Sequence, residues 1–250
     1  MYRSISTQAI VIRRGRVGEF HKSLTLLTAD LGLITATAYG AYKAQSRLRL
    51  GSEPFTWCTA HLYHNPVKKS YKVTELEISS SFEGLQADLG RLAAASLWAE
   101  IVQKSYGAGE MSGGLFGLFR DSLTLLENSD PAREQSLTLQ FLWRFLGLAG
   151  YQPELNACDS CGAAFGGRSA WYVARSHGLL CAACAGQGGS QLPPGALRFI
   201  GATQEMPLSQ AVLVQVEAAS RAALRAALLG LVQAVLEGPL ASIPWVRSGR

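Results

Sequence analysis

The chain has 250 residues, of which 48% are hydrophobic and 16% charged, with a formal net charge of +5. That composition supports a packed core and excludes a disordered chain. No apolar run reaches the roughly 18 uninterrupted residues of a membrane span, and Met1-Tyr2-Arg3-Ser4-Ile5-Ser6 lacks the apolar segment of a secretory signal. A soluble, cytoplasmic protein is expected, in which five cysteines are not a disulfide framework.

Residues 7–80 read as an all-β unit. Thr7-Gln8-Ala9-Ile10-Val11-Ile12-Arg13-Arg14 is rich in β-branched residues and is expected to end in a basic turn, Arg14-Gly15-Arg16-Val17-Gly18. Segments 23–29 and 33–39 flank Asp30-Leu31-Gly32, a short hairpin connection. Segments 55–63 and 70–78 form a second pair across His64-Asn65-Pro66, and the polar stretch 43–53 between the pairs reads as a long loop or a short helix. Five strands in so short a segment predict a small closed barrel of the oligonucleotide/oligosaccharide-binding (OB) type.

From about Leu85 the apolar period becomes 3.6. Leu85, Leu89, Leu92, Ala93, Leu97, Ile101 and Val102 predict one helix ending near Gly107, and residues 114–126 a second, closed by Asn128-Ser129-Asp130-Pro131. A third helix is expected over 132–148, central because its apolar set (Leu137, Phe141, Leu142, Phe145, Leu148) exceeds one stripe. The last is expected over 210–236 on Val212, Val216, Ala223, Ala227, Leu231 and Val235, ended by Pro239 and Pro244. Between these two, residues 152–208 are rich in glycine and proline and hold four cysteines. The organisation predicted is therefore α+β and multidomain. It comprises a barrel at 1–80, a helical domain at 81–151 and 209–250, and a zinc-ribbon insertion at 152–208.

Cys158-x-x-Cys161 and Cys181-x-x-Cys184 have the spacing of two zinc knuckles. Four thiolates complete a tetrahedron at roughly 2.3 Å each and leave no position for water or substrate, which makes one zinc ion structural. An iron–sulfur cluster would use the same ligands, but paired knuckles in a glycine-rich ribbon favour zinc. Gly162 supports the first turn, Ala185 the second less well, and His177 in the same loop is surplus to a complete ligand set.

Positive charge is confined to one segment. Residues 1–80 hold 11 Lys+Arg against 5 Asp+Glu, and residues 81–250 hold 12 against 13. A one-sided field points to a polyanion, and single-strand binding needs cations along the backbone with flat side chains under the bases. Arg13, Arg14, Arg16 and Lys22 cluster at the first turn, Tyr39, Tyr42, Lys43, Arg47 and Arg49 follow the third strand, and Lys68, Lys69, Tyr71 and Lys72 surround the entry to the fifth. Phe55 and Trp57 read as core.

No P-loop, no G-x-G-x-x-G after a strand and no His-Glu-x-x-His occurs. Glu75 and Glu77 share one strand face, a common arrangement on solvated edges. Cys58 is no nucleophile, because on a strand His61 points to the opposite face and His64 lies about 20 Å along. The chain is expected not to be an enzyme.

The order of parts resembles the RecO recombination mediators of bacteria. The segments that carry the resemblance are Ala9–Arg13 leading to Gly18-Glu19, Leu24-Thr25-Leu26-Leu27-Thr28 with Gly32, Gly40-Ala41-Tyr42-Lys43, Pro54-Phe55, Cys158-Asp159-Ser160-Cys161-Gly162, and Gly178-Leu179-Leu180-Cys181-Ala182-Ala183-Cys184. The resemblance implies binding of single- and double-stranded DNA and annealing of complementary strands. It also implies partnership with RecR and with the acidic tail of single-stranded-DNA-binding protein, so that recombinase is loaded in break and gap repair. The alternative is a zinc-ribbon scaffold whose basic barrel binds an acidic protein.

Overall fold

A computed structural model describes residues 4–106, 114–173, 178–186 and 189–248. Gly107, the expected end of the first helix, and His177 lie outside them. The chain separates into two compact units, Met1–Leu89 with Ser105–Glu127, and Gly90–Lys104 with Asn128–Arg250.

In the first unit, β1 (Ser4–Val17), β2 (His21–Thr28), β3 (Gly32–Ala38), β4 (Trp57–Asn65) and β5 (Ser70–Ser80) close a barrel in the order β1-β2-β3-β5-β4. The β3–β5 pair is parallel and the other pairs are antiparallel. This is the OB-type barrel expected. The period-2 alternation of β2 and β4 turns Leu24, Leu26, Cys58, Ala60 and Leu62 inward, where Ala9, Ala36, Ala38 and Ala41 keep the interior narrow enough to fill. Cys58 is fully buried, and burial pushes its thiol up to about 12, as suits a core residue. Phe55 is likewise buried, whereas Trp57 is half-buried, donating Nε1–H to Gln8 Oε1 at 2.6 Å.

β1 runs past the expected basic turn. A bulge between Val11 and Arg13 bends the strand, so that its first half pairs with β4 and its second half with β2. Arg13, Arg14 and Arg16 therefore stand on a strand, and the reversal falls at Gly18-Glu19-Phe20. The 43–53 stretch contains only a short helix, α1 (Leu48–Gly51). The turn before β3 needs Gly32 twice over: its φ is +67°, and a Cβ there would stand 2.8 Å from the Tyr106 ring.

After the barrel come α2 (Glu83–Gln86), α3 (Leu89–Ser105) and α4 (Gly114–Leu126); α4 falls in the first unit, with the Arg120 guanidinium 5.6 Å from the centroid of the Trp57 ring. The single helix expected from Leu85 is broken at Ala87-Asp88, and Leu89 is exposed rather than part of the apolar face. In the second unit α3 stacks Trp98 on Phe141 (4.9 Å) of α5 (Pro131–Leu148). Asp130 caps α5, accepting from the backbone N–H groups of Ala132 and Arg133, with Pro131 at the first position.

The cysteine-bearing segment forms β6 (Ala170–Tyr172), β7 (Leu179–Leu180), α6 (Ala182–Ala185) and β8 (Ser190–Leu192), a sheet ordered β7-β6-β8. Residues 194–203, expected within the loop-rich insertion, instead form a helix, α7 (Pro194–Thr203), which buries Ala196, Phe199 and Ile200. Next come α8 (Leu208–Ala211), α9 (Ala218–Val235) and α10 (Ile243–Ser248). The helix expected over 210–236 is thus interrupted. Val212, Val214 and Val216 crowd three β-branched side chains into five residues and disfavour the helix there. The buried face of α9 is Leu224, Ala227, Leu228, Leu231 and Val232, and it packs on α5. By length and composition α9 is apolar enough to cross a membrane, but Arg221 and Arg225 interrupt it and that buried face marks a core helix.

Glu100 on α3 holds the chain after α9. Its carboxylate accepts from the backbone N–H groups of Ala241 (2.9 Å) and Ser242 (2.8 Å) and pairs with Lys104 at 3.2 Å. Burial would raise its pKa, but these hydrogen bonds outweigh it and hold the carboxyl below the usual carboxylate range. A depressed folded pKa contributes stability above the unfolded value, lost as pH falls through the folded one. Glu100→Gln is expected to flatten the acid limb of a urea-denaturation stability profile below about pH 5 and to leave its neutral-to-alkaline shape unchanged.

Candidate nucleic-acid interface and metal centre

Strand register gathers the sequence-separated basic clusters at one rim of the barrel. Arg16 pairs with Lys22, Lys22 with Ala38, Thr37 with Lys72 and His64 with Tyr71. The end of β1, the start of β2, the end of β3 and the start of β5 therefore lie side by side. The turn between β1 and β2 and the turn between β4 and β5 are those that flank the ligand face of an OB barrel.

At this rim aromatic rings and cations come in pairs. Tyr39, Tyr42 and Phe20 are exposed. The Lys72 ammonium lies 5.4 Å from the Tyr39 ring, the Arg16 guanidinium 5.7 Å from Tyr42, and the Lys43 ammonium 5.7 Å from Phe20. His21 sits edge-on to Tyr39 at 4.9 Å, and its Nδ1 accepts from the Gly40 backbone N–H at 2.9 Å. The Tyr42 N–H donates to the Phe20 carbonyl at 3.1 Å, fixing the two turns to each other. Rings held on hydrogen-bonded backbone beside cations offer flat faces for bases and charges for phosphates.

Arg47 and Arg49 are exposed around α1, Lys68 and Lys69 on the β4–β5 turn, and Arg13 on β1 beyond the bulge. Arg14 is partly neutralised by Glu53 (Nε–Oε2 3.2 Å). Lys22, expected among the DNA contacts, is not available for one. It is 1% exposed, and its ammonium donates to Ser52 Oγ (2.7 Å), Glu53 Oε1 (2.8 Å) and the Arg49 carbonyl (3.3 Å). The signal was in the alternation, since Lys22 is in phase with inward-facing Leu24 and Leu26. Phe20 and His21 also stand at this rim, although the sequence reading did not place them there; an aromatic in a glycine-bearing turn beside cations is the cue for Phe20.

His61, Glu75 and Glu77 also bring ligand atoms within 4.8 Å of one another on the barrel surface. Both imidazole nitrogens are engaged, Nε2 with Glu77 at 3.0 Å and Nδ1 with Ser6 Oγ at 3.1 Å, so the group reads as an ion-paired surface cluster.

In the second unit the four ribbon cysteines converge, with every Sγ within 4.8 Å of the others. Four sulfurs at roughly 2.3 Å from one centre stand about 3.8 Å apart. The Cys161–Cys181 sulfur separation is 3.8 Å. Local backbone explains the convergence. The Gly162 N–H donates to the Cys158 carbonyl at 2.8 Å, with Gly162 at φ +71°. The second knuckle is built differently: Cys181 precedes α6, Ala185 continues that turn, and Gly186, one residue later, takes the positive φ of +61°.

The electrostatics also fit a cation. The Cys181 backbone N–H aimed at its sulfur draws the Cys158 thiol down to about 6; burial opposes this, and the N–H groups of Cys161 and Ser160 add to it. Cys184 is pushed up to about 12 through contacts with the Cys161 and Cys181 sulfurs. Four thiols this close cannot all ionise without positive charge among them, and a soft dication supplies it. The donor set takes up all four ribbon cysteines, and the fifth, Cys58, lies in the barrel core.

The arrangement agrees with what the sequence is similar to. The family model described as recombination protein O N terminal matches residues 1–82, and the model for its C terminal matches residues 86–244. The DNA repair protein RecO of Desulfitobacterium hafniense is 34% identical over 182 residues, 73% of this chain and 65% of that protein. The DNA repair proteins RecO of Desulforudis audaxviator and Desulfosudis oleivorans are 30% and 31% identical over 217 and 227 residues. Those alignments cover 86% of this chain in both cases, and 84% and 86% of the two relatives. The match therefore spans just under two thirds of the Desulfitobacterium protein and most of the other two. With a closed OB-type barrel, a helical unit and a four-cysteine cluster in that order, the chain belongs to the recombination protein O family.

Proposed function

We propose that this chain is a DNA-binding recombination mediator that anneals complementary strands and helps load recombinase onto protein-coated single strands during repair. The observation that carries the reading is the rim where Phe20, Tyr39 and Tyr42 stand beside Lys43, Lys72 and Arg16. Annealing needs neutralisation of two strands and no reaction centre, so cations beside stacking surfaces are sufficient for it. Family membership supports RecR and the acidic tail of single-stranded-DNA-binding protein as partners, a cytoplasmic location, and binding of duplex as well as single strands. Zinc is the metal we assign to Cys158, Cys161, Cys181 and Cys184, because an all-thiolate tetrahedral set on two knuckles suits it. When bound it supplies cross-linking of the ribbon and no catalysis.

The test is annealing of complementary strands coated with single-stranded-DNA-binding protein, without added nucleotide. Acceleration by the chain is expected, and its absence would sink the reading. Binding to single strands should weaken with salt, and alanine at Arg16, Lys43 or Lys72 should each reduce the log–log slope by about 0.7. Tyr39→Ala and Tyr42→Ala should each weaken binding by about 1–3 kcal/mol with little change in slope, the signature of lost stacking. An acidic peptide that displaces DNA completely while the slope stays flat would instead favour a protein-binding barrel.

A further inference from the structure

The turn between β4 and β5 carries a feature that phosphate neutralisation does not use. Val67 at its tip is 91% exposed, with Pro66 before it and Lys68 and Lys69 after it, all exposed. Single exposed aliphatics are common on protein surfaces, so exposure alone decides nothing. What singles this one out is its mounting and its place.

The tip is tied to its own turn. Asn65 Oδ1 accepts from the backbone N–H groups of Val67 and Lys68, both at 3.1 Å, and Lys69 closes the turn in the left-handed region at φ +46°. The stem is braced by His64 and Tyr71, paired across the strands with rings stacked at 4.7 Å. The place is the end of the base-stacking rim: Lys72, three residues beyond Lys69, sets its ammonium over Tyr39 at 5.4 Å. A strand that stacks on Tyr39 and continues along β5 beyond Lys72 would meet this tip.

We propose that this hairpin is a wedge for the end of a duplex. Val67 packs on the terminal base pair at a junction between single and double strand and unstacks it, while Lys68 and Lys69 hold the phosphates on either side. Apolar side chains inserted at base steps act in this way, and flanking cations hold the backbone that the opened step displaces. The inference rests on the DNA-binding reading above and adds to it a preferred substrate, the junction. It also gives the annealing site a means of testing a forming end, since a mismatched terminal pair opens more easily than a correct one.

The experiment uses the full chain and a hairpin DNA with a single-stranded tail, 2-aminopurine replacing the base of the terminal pair. Binding is expected to raise the 2-aminopurine fluorescence and to be about tenfold tighter than to the tail sequence alone. Val67→Ser should abolish the fluorescence rise and the junction preference while keeping single-strand affinity, and Val67→Leu should retain both. Lys68→Ala with Lys69→Ala should weaken binding to both DNAs. Single-strand binding by the wild type without a fluorescence rise overturns the wedge and leaves the DNA-binding reading standing. So does a Val67→Ser chain that behaves as the wild type at the junction. Failure to bind either DNA overturns both.

Discussion

Stripping the zinc we assign to the ribbon with a chelator, or replacing Cys158 by serine, is expected to unfold the ribbon and to lower the thermal midpoint of the second unit more than any other single change. Regular structure does little to hold the ribbon. Its three strands are 3, 2 and 3 residues long, and Gly166, Gly167, Gly186 and Gly189 all adopt positive φ and lose more backbone freedom on folding than other residues do. Zinc binding to small ribbons is worth about 10–16 kcal/mol in apparent terms, which is folding free energy when the site exists only in the folded state. Its loss should propagate, because a Cβ at Gly230 would stand 2.8 Å from the Tyr172 ring: β6 lies directly on α9.

The four ligands should not be equivalent. The Cys158 sulfur is buried and receives three backbone N–H groups, whereas Cys184 is exposed. Cys158→Ser is therefore expected to release the metal fully, and Cys184→Ser to weaken it with a partly retained fold. A metallochromic dye should report one zinc per wild-type chain, and thiol titration should find the four ribbon cysteines protected until a chelator is added. Single-strand affinity should change little, because the stacking rim belongs to the other unit. A wild-type chain that carries no metal and keeps its ribbon in far-ultraviolet dichroism and proteolysis would overturn the assignment.

The ease with which each part could be read follows from how local its cause is. The knuckles were legible because two intervening residues fix which thiolates can meet, whatever the rest of the chain does. The barrel was legible wherever alternation is clean, as in β2 and β4. Beta1 was read short because the bulge at Ile12 interrupts the period, leaving Ala9–Ile12 buried in succession and the arginines beyond them looking like a turn. The helix at 194–203 was hidden by Pro193-Pro194-Gly195, which signals a loop although proline also suits the first helical turn. The interrupted last helix shows the converse: its apolar residues kept the period, but the crowded valines denied it a helical backbone. For the rim, residue type and segment could be read, but which side chains meet depends on strand register, a long-range property. Lys22 is the sharpest instance, since a lysine near other cations reads as surface until its phase against Leu24 and Leu26 is known.

That buried lysine carries the other large expected effect. Glu53→Ala should destabilise the barrel unit by about 3 kcal/mol, because it leaves the Lys22 ammonium 1% exposed without a counter-charge. The figure sits at the low end for breaking a buried ion pair, since the Glu53 side chain is 35% exposed and Ser52 Oγ and the Arg49 carbonyl still accept from Lys22. Lys22→Met should be much milder, within about 1 kcal/mol, because the flexible apolar chain fills the space and Glu53 keeps Arg14 as a partner. Combining Lys22→Met with Glu53→Ala should recover most of the stability lost in Glu53→Ala alone, a coupling that urea titration of the three variants measures directly. If the two losses simply add, the lysine is not held by Glu53. The same variants separate a structural lysine from a DNA contact: Lys22→Met should leave the salt slope of single-strand binding unchanged, whereas Lys43→Ala on the exposed rim lowers it.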